Sequence, residues 1–301
     1  MDTESRHVAV IGAPTHFGQT HAGVELGPAA IRHAGLVRGL QDHGLAVDDT
    51  GDLDLQSGLL TDEPSVRLRQ LKNCVAAAIS LKSAVIRATE RGHIPLVLGG
   101  DHSLALGSVA ASAEAGPIGV LWIDAHGDFN TDVTTPSGNI HGMPLAALCG
   151  FGDARLTALG GRIGKVNPTK IAIVGARDVD VDESSLLAEA GVHVYSMAYI
   201  KRHGLAEALK SALDDVRNGT VGYHVSYDLD VIDPLYAPGV GTPVPGGLTD
   251  REGSLIAATI ASTPGMLALD IVEVNPTLDQ RHITARLAAS LAVNVFGQRA
   301  A

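Results

Sequence analysis

The chain is poor in the features that staple proteins, anchor them in membranes or bind them to polyanions. Its 301 residues include two cysteines, Cys74 and Cys149. These are too few for a disulfide framework and form no CxxC, so a reducing, intracellular setting is expected. No apolar stretch reaches the ~18 residues of a membrane span, because Gly, His or a charge interrupts each one. The opening residues Met1 to His7 are polar with no apolar core behind them, and we expect no secretory signal and a cytoplasmic protein. Positive charge is scarce: 22 Lys and Arg stand against 33 Asp and Glu, a formal charge of -11. That balance excludes nonspecific attraction to nucleic acid or to an anionic membrane surface. It permits a small cationic ligand.

What the chain has is apolar bulk and glycine. At 45% hydrophobic and 18% charged it is too apolar to be disordered, and its length suits one large α/β domain or two smaller ones. No internal repeat and no Pro/Ser-rich linker divides it, which favours one domain over residues 1–301. Apolar runs at His7 to Pro14, Ile94 to Gly99, Ile118 to Ala125, Lys170 to Gly175, Val192 to Ser196, Gly222 to Asp230 and Met266 to Val274 read as strands. Most are apolar throughout, not alternating, and so are expected to be buried on both faces. Between them Ser65 to Arg91, Leu205 to Arg217, Asp250 to Ser262 and Gln280 to Val295 have helical composition. The pattern predicts a three-layer α/β/α fold with a mostly parallel central sheet. The 35 glycines follow no period. Two long segments, Gly127 to Met143 and Pro234 to Gly247, read as loops directly after strands that end in carboxylates. In such sheets ligands bind at the carboxyl ends of strands.

The chemistry-bearing residues cluster at those ends. Asp124, His126 and Asp128 follow the run Ile118 to Ile123; if the extended geometry continues, all three project from one side. Asp228 and Asp230, two apart, close the strand before the second loop, and two carboxylates so placed repel unless a cation lies between them. Gly99-Gly100-Asp101-His102-Ser103 adds an imidazole at the head of a helix, with Asp101 either an N-cap or a partner that orients His102. Carboxylates and imidazoles without thiolates suit Mn(II), Fe(II) or Zn(II), and a set this large suits two ions about 3.5 to 4 Å apart sharing a water. A lone Asp or His is usually a cap or a satisfied polar residue, but independent caps do not explain so many ionisable groups on apolar strands. His141 lies in the loop Pro136 to Gly142, where an imidazole suits proton transfer to a leaving amine or serves no role at all. The other histidines, among them His224, lie in no acidic cluster of the sequence and are assigned no chemistry.

The motifs GGDHS (Gly99–Ser103), DAHGDFN (Asp124–Asn130), SGNIHG (Ser137–Gly142), SYDLDVIDP (Ser226–Pro234) and EVNP (Glu273–Pro276) together resemble the ureohydrolases, in the same order and across essentially the whole chain. Within that family the chain is most similar to the arginases. The resemblance implies two Mn(II) ions, one held by His102, Asp124, Asp128 and Asp228 and the other by His126, Asp124, Asp228 and Asp230. A metal-bridging hydroxide would attack the guanidinium carbon of L-arginine to give L-ornithine and urea. It also implies that His141 shuttles protons, that Glu273 meets the guanidinium through paired donors, and that Asn130, Thr135, Ser137 and Asn139 bind the α-carboxylate. Asp180, with Glu183 behind it, would face the α-amino group, and Thr242 would contribute from the second loop. Val244 matches the arginases, whereas Pro245 is shared with the agmatinase pattern. A homo-oligomer, trimer or hexamer, is implied as well. An agmatinase or guanidino-acid hydrolase is the alternative within the family. A catalytically silent regulatory or binding protein is the alternative outside it.

Overall fold

A computed structural model describes residues 7–55, 59–61 and 67–297. Eight strands, β1 (His7–Ala13), β2 (Ala46–Asp52), β3 (Ile94–Gly99), β4 (Gly119–Ile123), β5 (Ile171–Val174), β6 (His193–Tyr195), β7 (Tyr223–Asp228) and β8 (Met266–Val272), form one sheet in the order β2-β1-β3-β8-β7-β4-β5-β6. Every neighbouring pair is parallel, so the expectation of a mostly parallel sheet is met in full. The helices are α1 (Gly27–His33), α2 (Leu36–Asp42), α3 (Leu71–Glu90), α4 (Ala105–Ser112), α5 (Pro144–Cys149), α6 (Ala154–Thr157), α7 (Val181–Ala190), α8 (Met197–His203), α9 (Leu205–Arg217), α10 (Asp250–Ser262) and α11 (Ile283–Gly297). Among the described residues no helix is long and apolar enough to cross a membrane.

Successive strand residues point to opposite faces, and both faces find an apolar cover. Val8, Val10, Leu96, Leu98, Leu121, Ile123, Val225 and Tyr227 pack with α1, α2 and α8 to α11. Val120, Trp122, Ile171 and Ile173 pack with α3, α4, α5 and α7 on the other face. That double burial is why the inner strands read as unbroken apolar runs; edge strand β6, expected to be buried on both faces, is only partly covered and leaves Val194 exposed. Edge strand β2 does not read as such a run, and the pattern overlooked it. Its sequence AVDDTGD lies against β1 alone, and its Asp48, Asp49 and Asp52 pair with Arg91 and Arg32. Charge on an edge strand deters further pairing.

Local backbone corrects several expected boundaries. α3 starts at Leu71 because Gln70 before it sits at φ 43; Ser65 and Val66, the start of the expected helix, lie outside the described residues. α11 starts at Ile283, not Gln280, since Arg281 and His282 are also left-handed, at φ 54 and 57. The strand expected through Ala125 ends at Ile123, and the one expected through Asp230 ends at Asp228. The helix expected after His102 is α4, whereas short α1, α2 and α5 to α8 were not foreseen; several of the short helices are Ala- and Gly-rich and carry little periodic pattern.

Candidate metal centre and active-site cleft

Of four adjacent central strands, β3, β7 and β4 deliver every expected metal ligand from their carboxyl ends, and β8 between β3 and β7 delivers Glu273. After β4 the chain does not stay extended. Asp124 Oδ1 accepts the His126 N–H at 2.7 Å, which closes a tight turn, and Asp128 takes φ +48. A left-handed non-glycine residue costs on the order of 1 kcal/mol, and such strain persists where the surroundings fix it. The turn replaces the expected one-sided fan with a split. Asp124 points between two clusters, Asp128 turns to one and His126 to the other. Beyond β7, Asp228 Oδ1 accepts the Asp230 N–H at 2.8 Å, so those two carboxylates are set by a turn as well. Asp101, the foreseen N-cap, accepts from the Ser103 N–H at 3.0 Å, which presents His102 on the following helical turn.

In the first cluster His102 Nδ1 stands 3.0 Å from Asp124 Oδ2, 3.1 Å from Asp128 Oδ2 and 3.1 Å from Asp228 Oδ2. It is buried and has no hydrogen-bond partner. Its other nitrogen, Nε2, lies 2.8 Å from Ser226 Oγ, and its ring stacks on Trp122 at 4.0 Å between centroids. An imidazole nitrogen facing three carboxylate oxygens without bonding to any of them is suited to a cation held in common. In the second cluster His126 Nδ1 is 3.0 Å from Asp230 Oδ2 and 3.4 Å from Asp124 Oδ1. Two groups could thus hold an ion, His102 with Asp124 and Asp228, and Asp124 with His126 and Asp230. Asp124 belongs to both through different oxygens. Oxygen and imidazole donors fit a hard or borderline divalent ion.

The electrostatics agree. Burial drives Asp128 up to about 6, helped by the charge of Asp124. Burial and the charges of Asp230 and Asp124 raise Asp228 well above the carboxylate range. Burial opposes protonation of His102 and His126, yet their carboxylate neighbours raise both. The protein alone holds more negative charge here than it can solvate, and divalent cations offset such an excess.

Over this floor lies a cleft lined by His141, Asn130, Thr135, Ser137, Asn139, Asp180, Glu183 and Thr242 together with His102, His126, Asp128, Asp228 and Asp230. His141 Nδ1 is 3.2 Å from Glu273 Oε1. Burial lowers the His141 pKa, but the hydrogen bond and charge of Glu273 raise it on balance. Glu273 sits behind His141 and is not part of the cleft wall: at φ 65 its carboxylate also accepts from the His102 N–H at 2.9 Å and from Gln19 Nε2 at 2.8 Å. The loop after Phe129 is braced from outside, with Arg67 and Arg69 donating to the carbonyls of Asp132, Thr135 and Ser137. Gly138 permits its tight turn at φ 77, the only conformation here that needs glycine. Asn130 Nδ2 donates to Asp180 Oδ2 at 3.0 Å, and Thr242 Oγ1 to Asp230 Oδ2 at 3.0 Å. Glu183 is buried, accepting from the N–H groups of Phe129 and Asp180, and burial raises it to about 7.

Several site residues lay beyond reach of sequence reasoning. Trp122 donates to Asp124 Oδ2 at 2.9 Å, and Ser226 and Gln19 brace His102 and Glu273. Arg177 ties the second loop down through the carbonyls of Asp230, Val231 and Val244. Asp178 lines the cleft mouth. Alternation along β7 and β4, which puts Ser226 on the side of Asp228 and Trp122 on the side of Asp124, could have signalled two of them. His224, set aside for want of acidic neighbours in sequence, is in fact paired: its Nε2 is 2.9 Å from the buried Asp270, and Ser112 and Ser108 complete the chain.

Residues 6–297 match the model of the arginase family. The arginase of Bacillus caldovelox is 42% identical over 294 residues, 97% of this chain and 98% of that protein. Its native structure superposes with a TM-score of 0.94, over 98% of this chain and 100% of the other. The arginase of Bacillus subtilis strain 168 is 40% identical, over 97% and 98% of the two chains. A hypothetical agmatinase from Burkholderia thailandensis is more distant, at 26% identity and a TM-score of 0.73, covering 98% of this chain and 86% of that one. The chain therefore belongs to the arginase family and is a hydrolase of the ureohydrolase type.

Proposed function

We propose that this protein is an arginase that hydrolyses L-arginine to L-ornithine and urea with two Mn(II) ions, one held by His102, Asp124, Asp128 and Asp228 and the other by His126, Asp124, Asp228 and Asp230. The observation that carries the reading is the combination, in one cleft, of an acidic, imidazole-bearing floor with a rim of neutral hydrogen-bonding side chains beside the carboxylates of Asp178, Asp180 and Glu183. Bound divalent ions supply Lewis-acid activation of a water. The rest is the work of the chain. Asn130, Thr135, Ser137 and Asn139 hold the α-carboxylate of arginine, and Asp180 with Thr242 orients the opposite side of the substrate. With the chain so anchored, the guanidinium carbon is presented to the floor. As the carbon gains oxygen and its bond to the δ-nitrogen breaks, His141 delivers a proton to that nitrogen, releasing a neutral amine in place of an anion. Its Nδ1 is committed to Glu273, which leaves Nε2 for the transfer. Glu273 holds this imidazole in position, and direct contact with a guanidinium requires one of its present donors to let go.

The agmatinase alternative has a specific basis in Pro245, and the two readings differ in what the rim is for. Manganese-loaded protein is expected to release urea from L-arginine far faster than from agmatine or 4-guanidinobutyrate. A preference for agmatine overturns the substrate assignment. Absence of bound divalent ion after incubation with manganese overturns the enzyme.

A further inference from the structure

A second charged cavity lies away from the metal ligands. It is lined by Lys82 on α3, Ala110 on α4, Ala113 and Glu114 just beyond α4, and the loop residues Gly160, Gly161, Arg162 and Lys165, and it measures about 280 Å³. Glu114 precedes β4, whereas Asp124, His126 and Asp128 follow it, so this cavity belongs to the side where that strand begins. Three cations meet there against one carboxylate. Lys82 pairs with Glu114 at 2.5 Å, so that acid is already engaged. Lys165 is 6% exposed, an unusual depth for lysine; its Nζ donates to Thr157 O at 2.7 Å, which neutralises no charge. Arg162 donates to the carbonyl of Lys165, again a neutral partner. Glu114 is the one acid among the lining residues, and the hydrogen-bond partners of Arg162 and Lys165 are neutral carbonyls.

We infer that this cavity is a binding site for a doubly charged oxyanion of the phosphate class, held by Lys82, Arg162 and Lys165. Three features support it independently. The charge excess in the pocket equals that of a dianion. One of the cations is held inside the protein, where a charge without a counterion is costly. Gly160 at φ 72 lets the loop pack close against Lys82, where a Cβ would come within 2.6 Å of Lys82 Nζ. The groups also repel one another: burial first, then the charges of Lys82 and Arg162, bring Lys165 down to about 8. Phosphate offers several acceptor oxygens to the separate donors, and charge-assisted contacts of this kind are the strong ones.

Calorimetric titration of inorganic phosphate into the metal-loaded full chain at neutral pH tests the site. A saturable event is expected that weakens about tenfold or more in Arg162→Gln, the loss of one charged hydrogen bond. Urea formation by that variant should match the parent, since Arg162 is exposed and remote from the cleft. Gly160→Ala should weaken phosphate as well, by crowding Lys82. In parallel, acetylation of Lys82 and Lys165 mapped by mass spectrometry should slow when phosphate is present. A small phosphate monoester run alongside separates free phosphate from a phosphoryl group on a metabolite, and either one binding with loss in Arg162→Gln supports the site. No saturable binding by the parent, or equal binding by Arg162→Gln, overturns it.

Discussion

The floor and the rim of the cleft use the same residue type to opposite ends. Asp124, Asp228 and Asp230 on the floor are at most 2% exposed and sit on turns that end central strands. At the rim the Asp178 side chain is 69% exposed, and Asp180 faces a loop. A carboxylate in water needs no partner, whereas a buried cluster of them is tolerable only with cations among them. The contrast teaches that the floor is a charge balance completed by metal, while the rim is a set of hydrogen-bonding positions available to a substrate. Changes to the floor should act on metal content and turnover. Changes to the rim should act on recognition.

The largest effect should come from Asp124→Asn, because this residue reaches both imidazoles. Metal affinity is expected to fall at both positions by more than the 10- to 100-fold typical of losing a mere outer partner, with urea formation falling alongside. Asp128→Asn should weaken one ion only, since Asp128 approaches His102 and not His126. Metal stoichiometry by elemental analysis separates the two. Asp124→Asn retaining a full metal complement would remove the bridging assignment, and a fully active Asp128→Asn would remove its own. Next in size is His141→Asn. Losing a positioned proton donor costs roughly 10²- to 10⁴-fold in turnover, and metal content should be untouched because His141 contacts Glu273 and no ligand side chain. If metal is lost with His141, the division between floor and proton donor is wrong.

How far this was legible in the sequence depends on the same contrast. Strands β1, β3 to β5, β7 and β8 could be read because double burial makes them apolar throughout, and the floor because its acids follow such strands directly. Charged β2 was hidden since an edge strand of this kind looks like a loop. Asp128 illustrates the finer limit. The alternation rule put it beside His126, and the left-handed turn, invisible in the sequence, sends it to His102 instead. Trp122 and Ser226 were missed because a tryptophan and a serine within strands read as packing, and only the fold brings His102 to them. The residue identities of the rim came from family resemblance. Spacing alone gives no reason to prefer Asn139 over Thr134 in a loop braced by Arg67 and Arg69 from 65 to 68 residues earlier in the chain.

The smallest of these effects should fall on the rim, and it is the sharpest test of the contrast. Asn139 lines the cleft, its Oδ1 is buried without a hydrogen-bond partner, and its backbone N–H is held by Ser137 Oγ at 3.1 Å. Its side chain is therefore positioned by the loop but unspent, as a group awaiting a ligand would be; a flip of the amide would present its donors instead. Asn139→Ala removes one contact to a charged carboxylate, about 1.5–3 kcal/mol, so KM for L-arginine should rise about tenfold or more, with kcat and bound manganese nearly unchanged. Agmatine has no α-carboxylate and should be processed as before, so the preference for arginine should shrink by the same factor. An equal loss on both substrates, or a fall in kcat with KM fixed, would mean that this asparagine supports the floor and that floor and rim are not separate devices.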